Sequence, residues 1–476
     1  MNKSSIKTQS QAYTIGIVLA GLLVFISSCA TYYEKSLLFQ EQFVQGKFED
    51  ARKTLDKNKR AAKDKNRLLY FFQKGVVLQM LENYSESNES FEEAYIFSED
   101  FQKSYARQAA SILSNPTTMV YAGEDHELVL MHYFKALNFL RMNQFDEALV
   151  ECRRINNKLN LLNDRYEKKK NRYRRDAFAL NLMGIAYEAS GDVNNAFIAY
   201  RNAYEAYDED YKVYFGTEVP EQLKKDLLRT AYMNGFKEEL EKFEGKFSMK
   251  YVHEEKAGGE LVFFWHNGLG PVKDEWSVNF FLVKGQGGLV MFENEELGLS
   301  FPFSTSSNGQ SSEGIGDLKF VRVAFPRYRE RKPYYRSAIL ISETETYPLE
   351  MAENINDIAF KTLDDRMLRE LSTSLMRLAA KQAAEQMLRK QNENHGALLS
   401  VINSVSEKAD TRNWQTLPYS ISYARVPLIE GSNPMKLKAF SPRKSRDTEE
   451  VFNFQGKTGQ TQFYIFNSLE SIPLNY

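Results

Sequence analysis

The chain has two cysteines, Cys29 and Cys152, and five histidines in 476 residues. With Cys29 set aside only Cys152 is left, so no internal disulfide can form. His126 and His132 are six apart, which does not put both on one helix face, and HELVLMH lacks the HExxH spacing of zinc proteases. No metal site and no cofactor are expected. There is no GxSxG, no P-loop and no cysteine-based nucleophile site, so the chain is not expected to be an enzyme. Gly285-Gln286-Gly287-Gly288 follows a strand pattern but is followed by LVMFE, another strand, instead of the helix that would hold a phosphate. It reads as a hairpin turn. The formal net charge is only −1, or −3 without Lys3 and Lys7 of the leader described next. Such a balance exerts no long-range pull on nucleic acid, and no small-molecule substrate is expected. Long apolar runs are also missing. The longest, Ile15 to Ile26, has 12 residues, too few for a permanent membrane span of roughly 20.

That short run has its own context. Lys3 and Lys7 precede it, and Ser27, Ser28 and Cys29 follow, which is the layout of a removable leader over 1–28. Ile26-Ser27-Ser28-Cys29 looks like a lipobox, the bacterial site at which a cysteine is lipidated. The alternative is an ordinary secretory peptide with an incidental cysteine. With Ala30, and not aspartate, after Cys29, the expected location is the outer membrane, lipid-anchored and facing the periplasm. Two or more acyl chains would anchor the chain stably.

Residues 178–206, FALNLMGIAYEASGDVNNAFIAYRNAYEA, place Gly184, Tyr187, Gly191, Ala196, Tyr200 and Ala203 at offsets 0, 3, 7, 12, 16 and 19. This is the tetratricopeptide spacing of an antiparallel helix pair. Gly184 and Ala196 fall where the helices touch, and Gly191 ends the first helix. Partial copies occur at Gly46, Phe48, Ala51 and Leu55, at Gly75, Tyr84, Ser87, Phe91 and Ala94, and at Ala136, Phe139, Phe145, Ala148 and Cys152. A degenerate hairpin is expected over Gln222 to Phe243. Cys152 thereby takes a packing position, where cysteine behaves as a small hydrophobe. The small positions are 36, 61 and 48 residues apart against about 34 in a regular array, so the repeat is irregular.

From Gly258 onward the pattern changes. Strands are expected at 260–266, 278–284, 288–293, 319–325, 337–342, 420–428, 451–454 and 461–466. A long amphipathic helix is expected over 354–391, a second over 397–407, and a flexible loop over 304–317. The fold class expected is multidomain α+β, with all-α tetratricopeptide-like repeats over 29–250 and a β-rich α+β domain over 255–476.

Four groups are candidates for function. In tetratricopeptide arrays the first helix of each pair lines a groove. The groove positions are Leu69, Phe72, Val76 and Met80, then Leu130, Tyr133, Leu137 and Arg141, then Phe178, Asn181, Ile185 and Glu188. Mostly apolar, these residues need cover, from an amphipathic segment of another protein or from this chain's own helices. Lys168, Lys169, Lys170, Arg172, Arg174 and Arg175 form a basic run, read either as a contact for anionic headgroups or lipopolysaccharide phosphates, or as a solvated helix extension. Glu151 and Arg154 are spaced to pair on one helix. Asp410, Arg412 and Trp414 are either a recognition loop or a lock on the helix-to-strand crossing.

YAGEDHELVLMHYFKALNFL at 121–140, EALVECRR at 147–154 and SEKADTRNWQTLP at 406–418 together resemble an uncharacterised family of Gram-negative envelope lipoproteins with tetratricopeptide repeats and a C-terminal mixed domain. The resemblance implies location and architecture, and no established activity. The function expected is therefore a membrane-anchored interaction scaffold for another envelope protein. The alternative is an accessory or activator of cell-wall assembly enzymes, acting through the C-terminal domain.

Overall fold

Helices arise in pairs wherever the small and aromatic residues recur. The computed structural model describes residues 32–105, 116–164, 171–253, 257–284, 289–304, 320–391, 408–442 and 447–472. Cys29, Lys168, Lys169, Lys170, the Gly285–Gly288 link, most of the expected 304–317 loop and the helix expected at 397–407 lie outside them.

The chain divides into two compact units, Met1–Lys57 and Asn58–Tyr476. The described part of the first is one hairpin, α1 (Tyr32–Val44) and α2 (Phe48–Lys57). Phe43 packs edge-on against Phe48 with ring centroids 5.6 Å apart.

The second unit begins with four more helix pairs. These are α3 (Arg67–Met80) with α4 (Tyr84–Tyr105), α5 (Asp125–Arg141) with α6 (Phe145–Asn163), α7 (Ala177–Ala189) with α8 (Val193–Ala206), and α9 (Glu221–Met233) with α10 (Lys237–Phe247). The repeat chemistry explains their closeness. A Cβ on Gly184 would lie 2.4 Å from the Tyr200 ring, and one on Gly75 would lie 2.6 Å from Phe91, its counterpart. Turns between partner helices use a left-handed residue, Gly191 at φ +85° and even Glu82 at +59°, which closes each first helix. Cys152 is buried and free, and burial raises its thiol pKa far from reactivity.

Twelve strands follow among the described residues, in three four-stranded sheets. The first has the order β12 (Thr461–Ser468), β1 (Glu260–Asn267), β9 (Ser420–Pro427), β8 (Glu350–Asn354). In it β12 runs parallel to β1 and the other pairs are antiparallel. The second is β11 (Thr448–Gly456), β10 (Gly431–Phe440), β6 (Ser337–Ile341), β7 (Thr346–Pro348). The third is β4 (Leu299–Ser304), β3 (Leu289–Asn294), β2 (Val272–Lys284), β5 (Phe320–Arg329).

The helix expected at 354–391 is α11, Ile355–Gln391. Its Leu371, Leu375 and Leu378 pack on the third sheet against Val278, Phe280, Val321 and Phe325. β1 is buried on both faces. Leu261, Phe263 and Trp265 join a core with Leu340, Leu437 and Phe454 of the second sheet. Phe264 and His266, on the alternate side, meet the helices.

The domain boundary expected between 250 and 255 is therefore not where the chain divides. Four of the helix pairs share one compact unit with all three sheets, because β1 has a helix-facing side that is as apolar as its sheet-facing side. Among the described residues no helix is long and apolar enough to cross a membrane.

Candidate functional site

The face expected to be an open groove is filled by the chain itself. Leu69, Phe72, Val76, Leu130, Tyr133, Leu137, Phe178, Asn181 and Ile185 are all buried. The Phe72 ring stacks on Trp414 at 4.2 Å between centroids and 15° between planes. Phe91 and Phe134 complete the pocket around that indole, at 5.8 and 5.5 Å. The Tyr133 hydroxyl lies 2.9 Å from His266 Nε2. His266 Nδ1 in turn sits 3.0 Å from Asn467 Oδ1, so the ring donates from Nδ1 and accepts at Nε2. Phe178 meets Phe264 and Tyr423 at 6.2 and 6.0 Å. Half-buried Met80 borders a small cavity with His266, Thr416 and Asn467. Arg141 donates to the Phe463 carbonyl and, at 2.9 Å, to the Tyr84 hydroxyl.

Of the two covers expected for this face, neither another protein nor the chain's own helices supplies it. It is the first sheet and the 408–419 loop. The correction has a plain cause: apolar side chains in such number are stabilised by any apolar surface, and the nearest in concentration is on the same chain.

Charge completes the junction. Arg425 of β9 donates to Glu188 Oε2 at 2.8 Å and Glu260 Oε1 at 2.5 Å, and its guanidinium lies 3.2 Å from Asp226 Oδ2 as an ion pair. Arg229 reaches Glu188 and Asp226 at 2.8 and 2.7 Å. The Tyr200 hydroxyl sits among them, 2.9 Å from both Glu188 and Arg425. Burial would lower both guanidinium pKa values, and the facing carboxylates overcome it and raise them. Glu188, read from sequence as a groove residue, is thus one of three carboxylates that hold α7 and α9 to the sheet.

Glu127 of α5 accepts the Trp414 backbone N–H at 2.6 Å on Oε1 and the Tyr121 hydroxyl at 2.6 Å on Oε2. Burial pushes its carboxyl up, to about 7, against the pull of these donors. Glu124, one turn earlier, pairs with Lys273 of β2 and Arg366 of α11. Sequence reasoning missed both acids, since Lys273 is 149 residues from Glu124 and Trp414 is 287 from Glu127. Their one local signal is the Glu124–Glu127 capping box at the start of α5.

Among the described residues, Asp176 and Glu353 form no ion pair with a cation. Asp176 caps α7 by accepting from Ala179 N–H at 2.7 Å and also takes the Tyr173 hydroxyl at 2.7 Å. Glu353 of β8 accepts the Tyr211 hydroxyl at 3.2 Å. Burial, then the nearby Asp176 charge, raise the Glu353 pKa well above the usual carboxylate range. Burial lowers His266 to about 4 and His126 to about 3.

The described part of the basic run is not a headgroup patch. Arg172 binds Asp365 of α11 at 2.6 Å. Arg174 and Arg175 close on Asp210 at 2.5 and 2.6 Å, and Arg175 also meets Glu209 at 2.8 Å. Asp210 is fully buried, and such a carboxylate requires paired charge. Arg174 and Arg175 supply it here. The Asp410–Arg412 pair, at 2.6 Å, belongs to the loop that seats Trp414, so this group locks the fold and is no free recognition loop. Arg154 does pair with Glu151, at 3.0 Å, and Glu151 also holds His132 at 2.6 Å and Lys135 at 2.8 Å. Among the described residues no His, Cys, Asp and Glu cluster is placed to hold a metal.

No sequence family and no curated protein matches the chain. Solved structures that resemble it are tetratricopeptide-like repeat proteins. MamA from Desulfovibrio magneticus RS-1 is 16% identical over 45% of this chain and 89% of its own, with a TM-score of 0.28. A putative kinesin light chain with TPR-like repeats from Podosopora anserina is 14% identical over 45% and 92%, at 0.29. BtubC from P. vanneervenii is 14% identical over 53% and 91%, at 0.31. TM-scores of this size carry no argument beyond the helix pairs already described.

Proposed function

We propose that this chain is an interaction scaffold of the cell envelope, lipidated at Cys29, held at the outer membrane facing the periplasm, and binding another envelope protein. The observation that carries the scaffold part is the construction of the second unit. Four tetratricopeptide-like helix pairs are braced from inside by a sheet whose contacts use the very positions that hold ligands in such arrays. The bracing leaves the outer helix faces and loops as the surface offered to a partner. The lipobox-like Ile26-Ser27-Ser28-Cys29 supports the anchor.

Two experiments test the two halves. A Cys29→Ala chain should lose its acyl label and leave the membrane fraction, and tight membrane association of that variant contradicts the anchor. Crosslinking in the native envelope with mass spectrometry should return the same envelope protein from independent preparations. Crosslinks scattered over abundant proteins alone contradict the scaffold.

A further inference from the structure

The edge of a sheet carries unpaired backbone amides and carbonyls, and proteins normally blunt it. Of the six edges of the three described sheets, five are blunted. β12 has its Phe463 carbonyl taken by Arg141. β8 is bulged between Met351 and Glu353 and gives its Ala352 carbonyl to the Tyr207 hydroxyl at 2.8 Å. β7 is three residues long and ends in Pro348. β4 and β5 contain Pro302 and Pro326, which have no amide hydrogen to offer. The sixth edge is β11, nine residues reading TEEVFNFQG, with no proline, no lysine and no bulge.

Hydrogen bonds within the second sheet fix which groups of β11 point outward. The Phe440 carbonyl of β10 accepts the Arg336 amide at 2.9 Å, on the β6 side. Along an antiparallel strand, residues that bond one neighbour alternate with residues that bond the other. Asn433, Met435, Leu437 and Ala439 therefore bond β11, through their partners Phe454, Phe452, Glu450 and Thr448. Glu449, Val451, Asn453 and Gln455 face away. The Gln455 carbonyl is taken by Gln462 Nε2, whereas among the described residues no strand or loop pairs with the outward groups of Glu449, Val451 and Asn453. Their side chains do not guard the edge. Glu449 lies across the sheet on Lys436 and Lys438, at 3.1 and 3.3 Å, and Asn453 accepts the Ser432 hydroxyl at 2.9 Å. Val451 is 73% exposed.

We propose that β11 pairs antiparallel with β11 of a second copy of this chain, about a two-fold axis at Val451, and joins two four-stranded sheets into one of eight. The strand's own sequence selects this occupant. With Val451 opposite the copy's Val451, Glu449 falls opposite the copy's Asn453, and each outward residue exchanges both backbone bonds with one partner. All three are then satisfied. On the outer face the exposed Val451 side chain meets its own equivalent, and on the other face Glu450 falls opposite Phe452, so no acid faces an acid. The neighbouring registers are worse. Moving the axis to Phe452 would use Gln455, whose carbonyl is already occupied, and moving it to Glu450 would set that acid opposite itself. Such a contact is isologous and closes at a dimer. It rests on β11 alone and is independent of the Cys29 anchor.

The test is sedimentation of the full chain carrying Cys29→Ala over a concentration series, beside Val451→Lys in the same background. The expected result is a reversible monomer–dimer equilibrium that Val451→Lys weakens by about tenfold or more, because two lysines then face each other. Urea unfolding of the two chains at monomeric concentrations should coincide, since the position is exposed. Cysteine pairs check the register. Opposed residues of such a pair are about 5.5 Å apart at Cα, within the disulfide reach of roughly 4.4–6.8 Å. Glu449 lies about 13 Å further along the strand from its own equivalent. Under mild oxidation Val451→Cys should link to itself, and Glu449→Cys should link to Asn453→Cys on mixing but not to itself. Buried Cys152 is the one other thiol in that background. A chain that stays monomeric throughout the series overturns the contact. A dimer indifferent to Val451→Lys overturns β11 as its interface, and Glu449→Cys linking to itself as readily as Val451→Cys overturns the two-fold register.

Discussion

The Phe72–Trp414 stack joins a helix of the repeats to a loop more than 340 residues later, and its energy can be isolated. Phe72→Ala and Trp414→Ala each remove a fully buried ring, for an expected loss of about 3–5 kcal/mol apiece. Removing the indole also takes Nε1–H from Thr416 Oγ1, a 2.8 Å bond, and leaves that buried hydroxyl short of a partner at about 1 kcal/mol. Trp414→Phe keeps a ring and measures this part separately. The backbone N–H bond to Glu127 survives in all of these variants. Stacked at 4.2 Å, the two rings should give a coupling of roughly 0.5–1.5 kcal/mol beyond the area they bury. The double variant should then lose less than the two single losses combined. The assay is urea unfolding of wild type, both single variants and the double variant under one condition. Strict additivity would refute the stack. So would a Phe72→Ala variant as stable as wild type, which is the behaviour of an open groove.

Three other expectations follow from single residues. Gly184→Leu drives a side chain into the Tyr200 ring, which costs about 1–3 kcal/mol or more; an unchanged melting curve would contradict the helix contact. Arg425→Leu removes the cation that Glu188, Asp226 and Glu260 share, while Arg229 stays on Glu188 and Asp226, and loss of one partner from a buried cluster costs about 3–5 kcal/mol. Near-native stability in urea would mean that the cluster is not closed as described. Glu353 has its pKa raised in the folded state, so the unfolded chain ionises first as pH rises past about 4.3. Its contribution is present below that pH and is lost as pH climbs toward the folded value. Glu353→Gln should therefore gain on wild type between pH 5 and 8, by stability measured on that pH series, and parallel profiles would contradict an uncompensated buried acid.

Much of the helical half was legible because its rules are local. Gly184 and Tyr200 are sixteen residues apart, and so are Gly75 and Phe91, which meet in the same way. The long helix ending at Gln391 followed from its apolar stripe, of which Leu371, Leu375 and Leu378 are buried. β10 was missed although Asn433, Met435, Leu437 and Ala439 alternate inward, because Gly431, Pro434 and two lysines read as breakers. β8 was missed because Glu353 and Asn354 are polar and yet buried.

The groove residues were correctly read as needing cover, yet nothing near Phe72 or Tyr133 names Trp414 or His266 as that cover. The arginines at 172, 174 and 175 look like a solvated run by composition. Their acids, Asp210 and Asp365, are set by the fold and not by spacing. Local pattern gives the faces, and long-range closure decides what they meet.

Hydrogen exchange resolved by peptide tests most directly whether the repeats and the sheets are one folded unit. Amides of α5 around Leu130–Leu137 and of β1 around Leu261–Trp265, both fully buried, should open with the same free energy, and Trp414→Ala should lower both together. Exchange of the α5 amides that is orders of magnitude faster than that of β1, and indifferent to Trp414→Ala, would contradict the account and return the groove to an open face.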